Sequence, residues 1–256
     1  MIHSSAQIDP GVRLGENVSI GAFCVIGAGV EIGDNTWIGP HVVIEGPTKI
    51  GRDNRIWQFA SIGAAPQDKK FHGETSRLEI GDRNVIREFV TFNRGTEDGG
   101  GVTRIGNDNW LMAYVHLAHD CIVGNNVIFA NAASLAGHVV VDDWVILGGF
   151  TLVHQFCQVG AHAFTSMGSI INRDVPPYVT VAGSFAEPKG INTEGLRRRG
   201  FDGERILAIR RAYKTLYKSG LPLAEAREEL ARAASDAPDV RLMIEFIERS
   251  QRSLVR

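Results

Sequence analysis

The sequence predicts a parallel β-helix of hexapeptide repeats, mostly β, followed by a C-terminal α-helical domain. Three observations carry this reading. Ile2, Ile8, Leu14, Ile20, Ile26, Ile32, Ile38, Ile44, Ile50, Ile56 and Ile62 fall at strict six-residue intervals, often followed by Gly, as at Gly15, Gly33 and Gly51. The pattern outlasts two interruptions: it resumes at Ile80, Ile86 and Phe92, slips by one residue across 96–101, then runs from Ile105 to Ile171. From about Asn192 the texture changes to helix formers at helical spacing, as in 204–219 and 223–233.

A period of six fits neither a helix nor a simple alternating strand. It suits a short strand and a sharp turn per repeat, with one aliphatic residue always pointing inward. Three such sides close an 18-residue triangular coil, and stacked coils bury a continuous core. About ten coils at roughly 4.8 Å each make a prism nearly 50 Å long. Corners such as Gly33-Asp34-Asn35 and Gly106-Asn107-Asp108-Asn109 carry residues expected to tolerate a left-handed backbone. The chain therefore divides into a β-helix over 1–191, with loops protruding near 64–76 and 94–101, and a helical domain over 192–256. The first part holds 13 Lys and Arg against 19 Asp and Glu; the second holds 14 against 10 and is basic.

Composition narrows the function. No run approaches the roughly 20 apolar residues of a membrane helix. The start, Met1-Ile2-His3-Ser4-Ser5, lacks a secretory signal, so a cytoplasmic protein with no integral membrane segment is expected. Cys24, Cys121 and Cys157 are odd in number and lack metal-ligand spacing, which argues against a disulfide framework. They read as small core or subunit-face residues. A net charge of −2 and 8% aromatics leave no nucleic-acid footprint.

In an 18-residue coil, residue n sits beside n+18. His119 then shares a column with Gly137 and Gln155, Asp120 with His138 and Phe156, and His154 with Ala118 and Ala136. His116 lies one edge earlier on the same coil. Three chemistries compete for this patch. A neutral imidazole held by Asp120 could take a proton from a hydroxyl nucleophile, with the Gly137 amide serving the oxyanion. Three histidines could hold zinc, as in β-helical carbonic anhydrases. Or the imidazoles could be structural, a poor account of four histidines, an Asp and a Gln converging in an aliphatic repeat. Asp68 and Lys70 could be solvated loop charges. Arg197-Arg198-Arg199 could be a solvated helix face or a phosphate clamp.

Gln58-Phe59-Ala60-Ser61-Ile62-Gly63, Gln67-Asp68, His116 to Asp120, Leu135-Ala136-Gly137-His138, His154-Gln155-Phe156, Asp174 to Tyr178 and Asn192 to Gly200 together resemble one family over essentially the whole chain. It is the bacterial UDP-N-acetylglucosamine O-acyltransferases that begin lipid A synthesis. The resemblance implies a left-handed β-helix, an exception to the usual right-handed crossover, assembled as a homotrimer with sites between subunits. It implies that the sugar 3-hydroxyl attacks the thioester of an (R)-3-hydroxyacyl acyl carrier protein. No metal or cofactor is implied beyond the carrier's own phosphopantetheine.

By the same resemblance His119 is the general base, Asp120 its holder and Gly137 the oxyanion donor. Asp68, Lys70, His116, His138, His154 and Gln155 line the sugar and acyl groups. Asn192, Glu194, Arg198 and Arg199 lie near the nucleotide or the carrier arm, and the basic tail suits an acidic carrier protein. The chain departs from the pattern at Asn93, often His in the family, at Lys69 and Thr75 in the first loop, and at Met167. Some members have Gly there, flooring the acyl groove. A Met side chain in a close-packed groove implies a shorter chain, roughly ten to twelve carbons. The competing readings are a related N-acyltransferase, a 3-amino UDP-sugar acceptor, a zinc carbonic anhydrase and a non-catalytic scaffold trimer.

Overall fold

The computed structural model describes residues 1–234 and 237–256. Strands of mostly two residues stack into three parallel sheets that form the sides of a left-handed triangular prism. The first sheet runs from Gln7–Ile8 to Ile170–Ile171, the second from Arg13–Leu14 to Gln158–Val159, and the third from Ser19–Ile20 to Val179–Ala182. The last strand, Glu187–Ile191, closes the third sheet antiparallel.

The register shows the 18-residue coil directly: Gln7 pairs with Val25 and Ile8 with Ile26. The step widens to Ser61 opposite Thr91, then Thr91 opposite His116. Both extra segments leave from the corner between the first and second sheets. They are the two loops that the broken repeat marks.

The inward column is apolar. Ile26, Ile44, Ile62, Phe92, Leu117, Leu135, Val153 and Ile171 line the first side and are buried, each such side chain contributing about 1.5–3 kcal/mol. Thr165 takes an aliphatic position by satisfying its hydroxyl, which lies 2.7 Å from Thr151 Oγ1 and accepts from Gly148 N–H at 3.0 Å.

The corners correct one expectation. Asn35 and Asp108 do have positive φ, but Gly33 does not. Its need for glycine is proximity: a Cβ there would lie 2.7 Å from the Gly51 carbonyl carbon on the next coil. The left-handed positions between the third and first sheets go instead to Phe23, His41, Phe59, Phe89 and Tyr114. Their rings stack at 4.9–5.3 Å between centroids, offsetting an unfavourable backbone.

Four helices follow: α1 (Thr193–Arg198), α2 (Gly203–Lys218), α3 (Leu223–Ala233) and α4 (Pro238–Arg249). Asn192 and Asp202 cap the first two by accepting from Gly195 and Arg205 N–H. Leu196, Ile209, Leu216, Leu230, Met243 and Phe246 share a buried cluster with Tyr178, while Tyr213 and Val255 join the prism core. No described helix is long and apolar enough to cross a membrane.

Candidate active site

The corner that releases both loops also carries the histidines. The coil brings His138 N–H to the His119 carbonyl at 3.1 Å and Phe156 N–H to the Gly137 carbonyl at 3.1 Å. The columns therefore stand as the 18-residue step requires. Asp120, His138 and Phe156 all occupy the left-handed turn position.

His119 Nδ1 donates to Asp120 Oδ2 at 2.8 Å, which leaves Nε2 as the ring's free acceptor. Both residues are buried. Gly137 lies directly against the ring: a Cβ there would come within 2.6 Å of Cε1 and 2.8 Å of Nε2. The Gly137 N–H has no partner among the described residues. His138 meets the His119 ring edge-on at 5.2 Å and stacks on Phe156 at 4.5 Å.

Burial pushes the Asp120 carboxyl upward, but the hydrogen bonds from His119 and Thr96 outweigh it and hold the group below the ordinary carboxylate range. Burial lowers His138 despite the attraction of Asp120. It also lowers His116, whose Nδ1 lies 2.7 Å from Thr91 Oγ1. His116 is thus placed on the first sheet beside the corner. His154 is exposed, with Nδ1 3.2 Å from the Gln155 carbonyl oxygen.

Asp68 and Lys70 face the same corner from the first loop. With Phe71, Glu74, Thr96 and Asp98 they line a cleft of about 470 Å³ between the two loops. The loop bases are tied together: Asn93 Nδ2 donates to the Ala65 carbonyl at 2.9 Å and Arg94 Nη1 to that of Gly63 at 2.6 Å. Asn93 is thereby a structural anchor.

The zinc reading needs three converging imidazoles. Ligand atoms of His119, Asp120 and His138 do lie within 4.8 Å of one another, yet the third member is a carboxylate already bonded to His119 and Thr96. His116 and His154 are engaged elsewhere, so the three-histidine set is not assembled among the described residues.

The remaining predicted residues lie apart from this corner within one chain. Asn192, Glu194, Arg198 and Arg199 border a groove of about 710 Å³ on the third sheet, with Ile128, Trp144, Ile146 and Phe164. That side of the prism is opposite the histidine corner. Met167 sits on the corner between the third and first sheets, 78% exposed. Asn192 also donates to the His162 carbonyl at 3.0 Å, and Glu194 pairs with Arg198 at 3.0 Å.

Sequence reasoning missed Thr96 and His162. His162 lies between Trp144 and Tyr178 and accepts from Arg199 Nη1 at 3.1 Å. The 18-residue column from Trp144 to His162 was the available signal. Burial, then the Arg199 charge, push the His162 imidazole down to about 4. The unfolded chain therefore takes up this proton first, near the ordinary histidine value of about 6.5, and the fold loses stability as pH falls from there towards 4. The drop in urea midpoint between pH 7 and pH 5 is expected to shrink in His162→Phe; an equal drop overturns the assignment.

Known proteins resemble this chain over its whole length. A family profile described as "Udp N-acetylglucosamine O-acyltransferase; Domain 2" matches residues 174–255, and the bacterial transferase hexapeptide profile matches 29–64 and 103–137. An acyl-[acyl-carrier-protein]–UDP-N-acetylglucosamine O-acyltransferase of Stenotrophomonas maltophilia strain K279a is 63% identical over 256 residues, covering 100% of this chain and 97% of that one. Two crystal structures superpose over the whole chain at 43% identity. They are the UDP-N-acetylglucosamine acyltransferase of Francisella novicida (TM-score 0.98, 94% of that chain) and the O-acyltransferase of Moraxella catarrhalis (TM-score 0.97, 99% of that chain). With this identity spanning the β-helix, both loops and the helical end, the chain belongs to the acyl-[acyl-carrier-protein]–UDP-N-acetylglucosamine O-acyltransferases.

Proposed function

We propose that the protein transfers an (R)-3-hydroxyacyl chain from acyl carrier protein to the 3-hydroxyl of UDP-N-acetylglucosamine, opening lipid A synthesis by general-base catalysis at His119. The observation that carries the mechanism is the imidazole held through Nδ1 by Asp120, with Nε2 against the backbone of Gly137. Nε2 takes the proton of the sugar hydroxyl as its oxygen attacks the thioester carbonyl. The Gly137 N–H donates to the resulting oxyanion. Collapse breaks the carbon–sulfur bond, and the imidazolium returns its proton to the departing phosphopantetheine thiolate. Asp120 stabilises the transient imidazolium without itself accepting the proton. His116 and His138, kept neutral by burial, supply hydrogen bonds to the sugar without a competing positive charge.

A homotrimer supports this arrangement. The nucleotide-side residues Asn192, Glu194, Arg198 and Arg199 face away from the His119 of their own chain, so a neighbouring chain supplies them. Met167 then projects towards a neighbour's corner, where it shortens the acyl groove. The basic helical end receives the acidic carrier protein, in a cytoplasmic setting where that carrier is found.

The test is acyl transfer to UDP-N-acetylglucosamine across a series of 3-hydroxyacyl-carrier-protein lengths. Activity is expected to peak at about ten to twelve carbons, and Met167→Gly to shift the preference by two or more methylenes, each contributing about 0.8 kcal/mol on burial. An unchanged preference in Met167→Gly overturns the floor. Inactivity with every donor but transfer to a 3-amino UDP-sugar overturns the acceptor, and stoichiometric zinc in the purified protein overturns the metal-free mechanism.

A further inference from the structure

We propose that Thr96, in the glycine-rich second loop, is a positioning residue that fixes the Asp120 carboxylate and thereby the tautomer of His119. The inference rests on the general-base role given above. Thr96 holds both carboxylate oxygens. Its N–H donates to Oδ1 at 2.8 Å and its hydroxyl to Oδ2 at 2.6 Å. Oδ2 is the same oxygen that receives His119 Nδ1 at 2.8 Å. The Asp120 side chain is 1% exposed, so no solvent competes for these positions.

The loop is built to deliver this contact. Gly101 N–H donates to the Thr96 carbonyl at 2.7 Å, and Gly99 N–H reaches the Thr96 hydroxyl oxygen at 3.2 Å, leaving the hydroxyl hydrogen for Asp120. Gly100 and Gly101 take φ of +88° and +77°. Gly99 packs so closely that a Cβ would lie 2.0 Å from Asp120 Cγ. Asp120 N–H donates to Thr103 Oγ1 at 2.8 Å, which ties the backbone of Asp120 to the preceding coil while the loop holds its carboxylate.

The hydroxyl has an electrostatic effect besides its geometric one. It shares the carboxylate charge with the imidazole. Without it the buried carboxylate becomes more basic, and the imidazole it supports becomes more basic with it. The neutral base is then lost at a higher pH.

The experiment measures kcat and KM against pH for the full-length wild type, Thr96→Val and Thr96→Ser, with thermal midpoints alongside. Valine matches threonine in shape and keeps the backbone N–H. Thr96→Val is expected to lower kcat about tenfold, the scale of one hydrogen bond to a charged group, with little change in KM. The acid limb of kcat should move to higher pH, and Thr96→Ser should restore both. Parental kcat with an unmoved acid limb in Thr96→Val overturns the proposal. So does an equal loss in both variants that follows their thermal midpoints, the mark of a purely structural loop. If Asp120→Asn keeps full activity, the general-base reading falls instead.

Discussion

His119→Ala is expected to lower kcat by about a thousandfold, on the order of 4 kcal/mol of transition-state stabilisation, while KM for both substrates stays near parental. The imidazole contacts the hydroxyl only through a proton in flight, so its loss is felt in the transition state. The fold should survive: His119 sits at a corner, outside the inward aliphatic column, and its backbone carbonyl still accepts from His138. The ring's removal leaves Asp120 with its Thr96 bonds. Steady-state rates with the preferred donor, read beside the thermal midpoint, decide the matter. Undiminished turnover in a folded variant removes His119 as the base.

Gly137→Ala is expected to cost about a hundredfold in kcat with a small change in thermal midpoint. The backbone at 137 is not left-handed, so alanine brings no conformational strain. The new methyl, however, meets the imidazole at Cε1 and Nε2. The ring cannot yield freely, being tied to Asp120 on one side and flanked by His138 on the other. Nε2 is displaced from the reacting hydroxyl, and the methyl crowds the N–H assigned to the oxyanion. Circular dichroism and thermal melts separate this from unfolding. Parental kcat in Gly137→Ala would mean that neither the ring's seat nor the amide matters to the chemistry.

The β-helix was legible because its rule is covalent: a fixed count of residues per coil converts sequence distance into spatial neighbourhood. That rule puts His119 beside Gly137 and Asp120 beside His138 on the next coil from sequence distance alone, and the ladders agree. It failed where the count fails. Thr96 lies in a segment with no repeat, and only the folded loop reveals that its glycines serve contact with Asp120. The corner residues Gly33-Asp34-Asn35 read as tolerating a left-handed backbone, which Asn35 adopts, whereas the coil spacing demands glycine at Gly33 for want of room. The turn positions themselves tolerate Phe and Tyr because five stacked rings stabilise one another, a cooperative effect no single corner displays. In the helical end, amphipathic spacing located α2 and α3. The short α1 depends on the Asn192 cap, a local bond from Gly195 N–H, whereas the contact of its neighbour Arg199 with His162 arises only between segments.

The two loops both enter at one edge of the prism, and that has a consequence for how this chain can change. Residues added at that edge lengthen an excursion and leave every ladder above and below in step, as the jumps from Ser61 to Thr91 and from Thr91 to His116 already demonstrate. A single residue added inside a strand would turn an inward isoleucine outward and break pairing with both adjacent coils. Tolerance to insertion is therefore directional. New contacts can be acquired along one edge at almost no cost to the scaffold, and that edge is the one that carries His119 and Asp120.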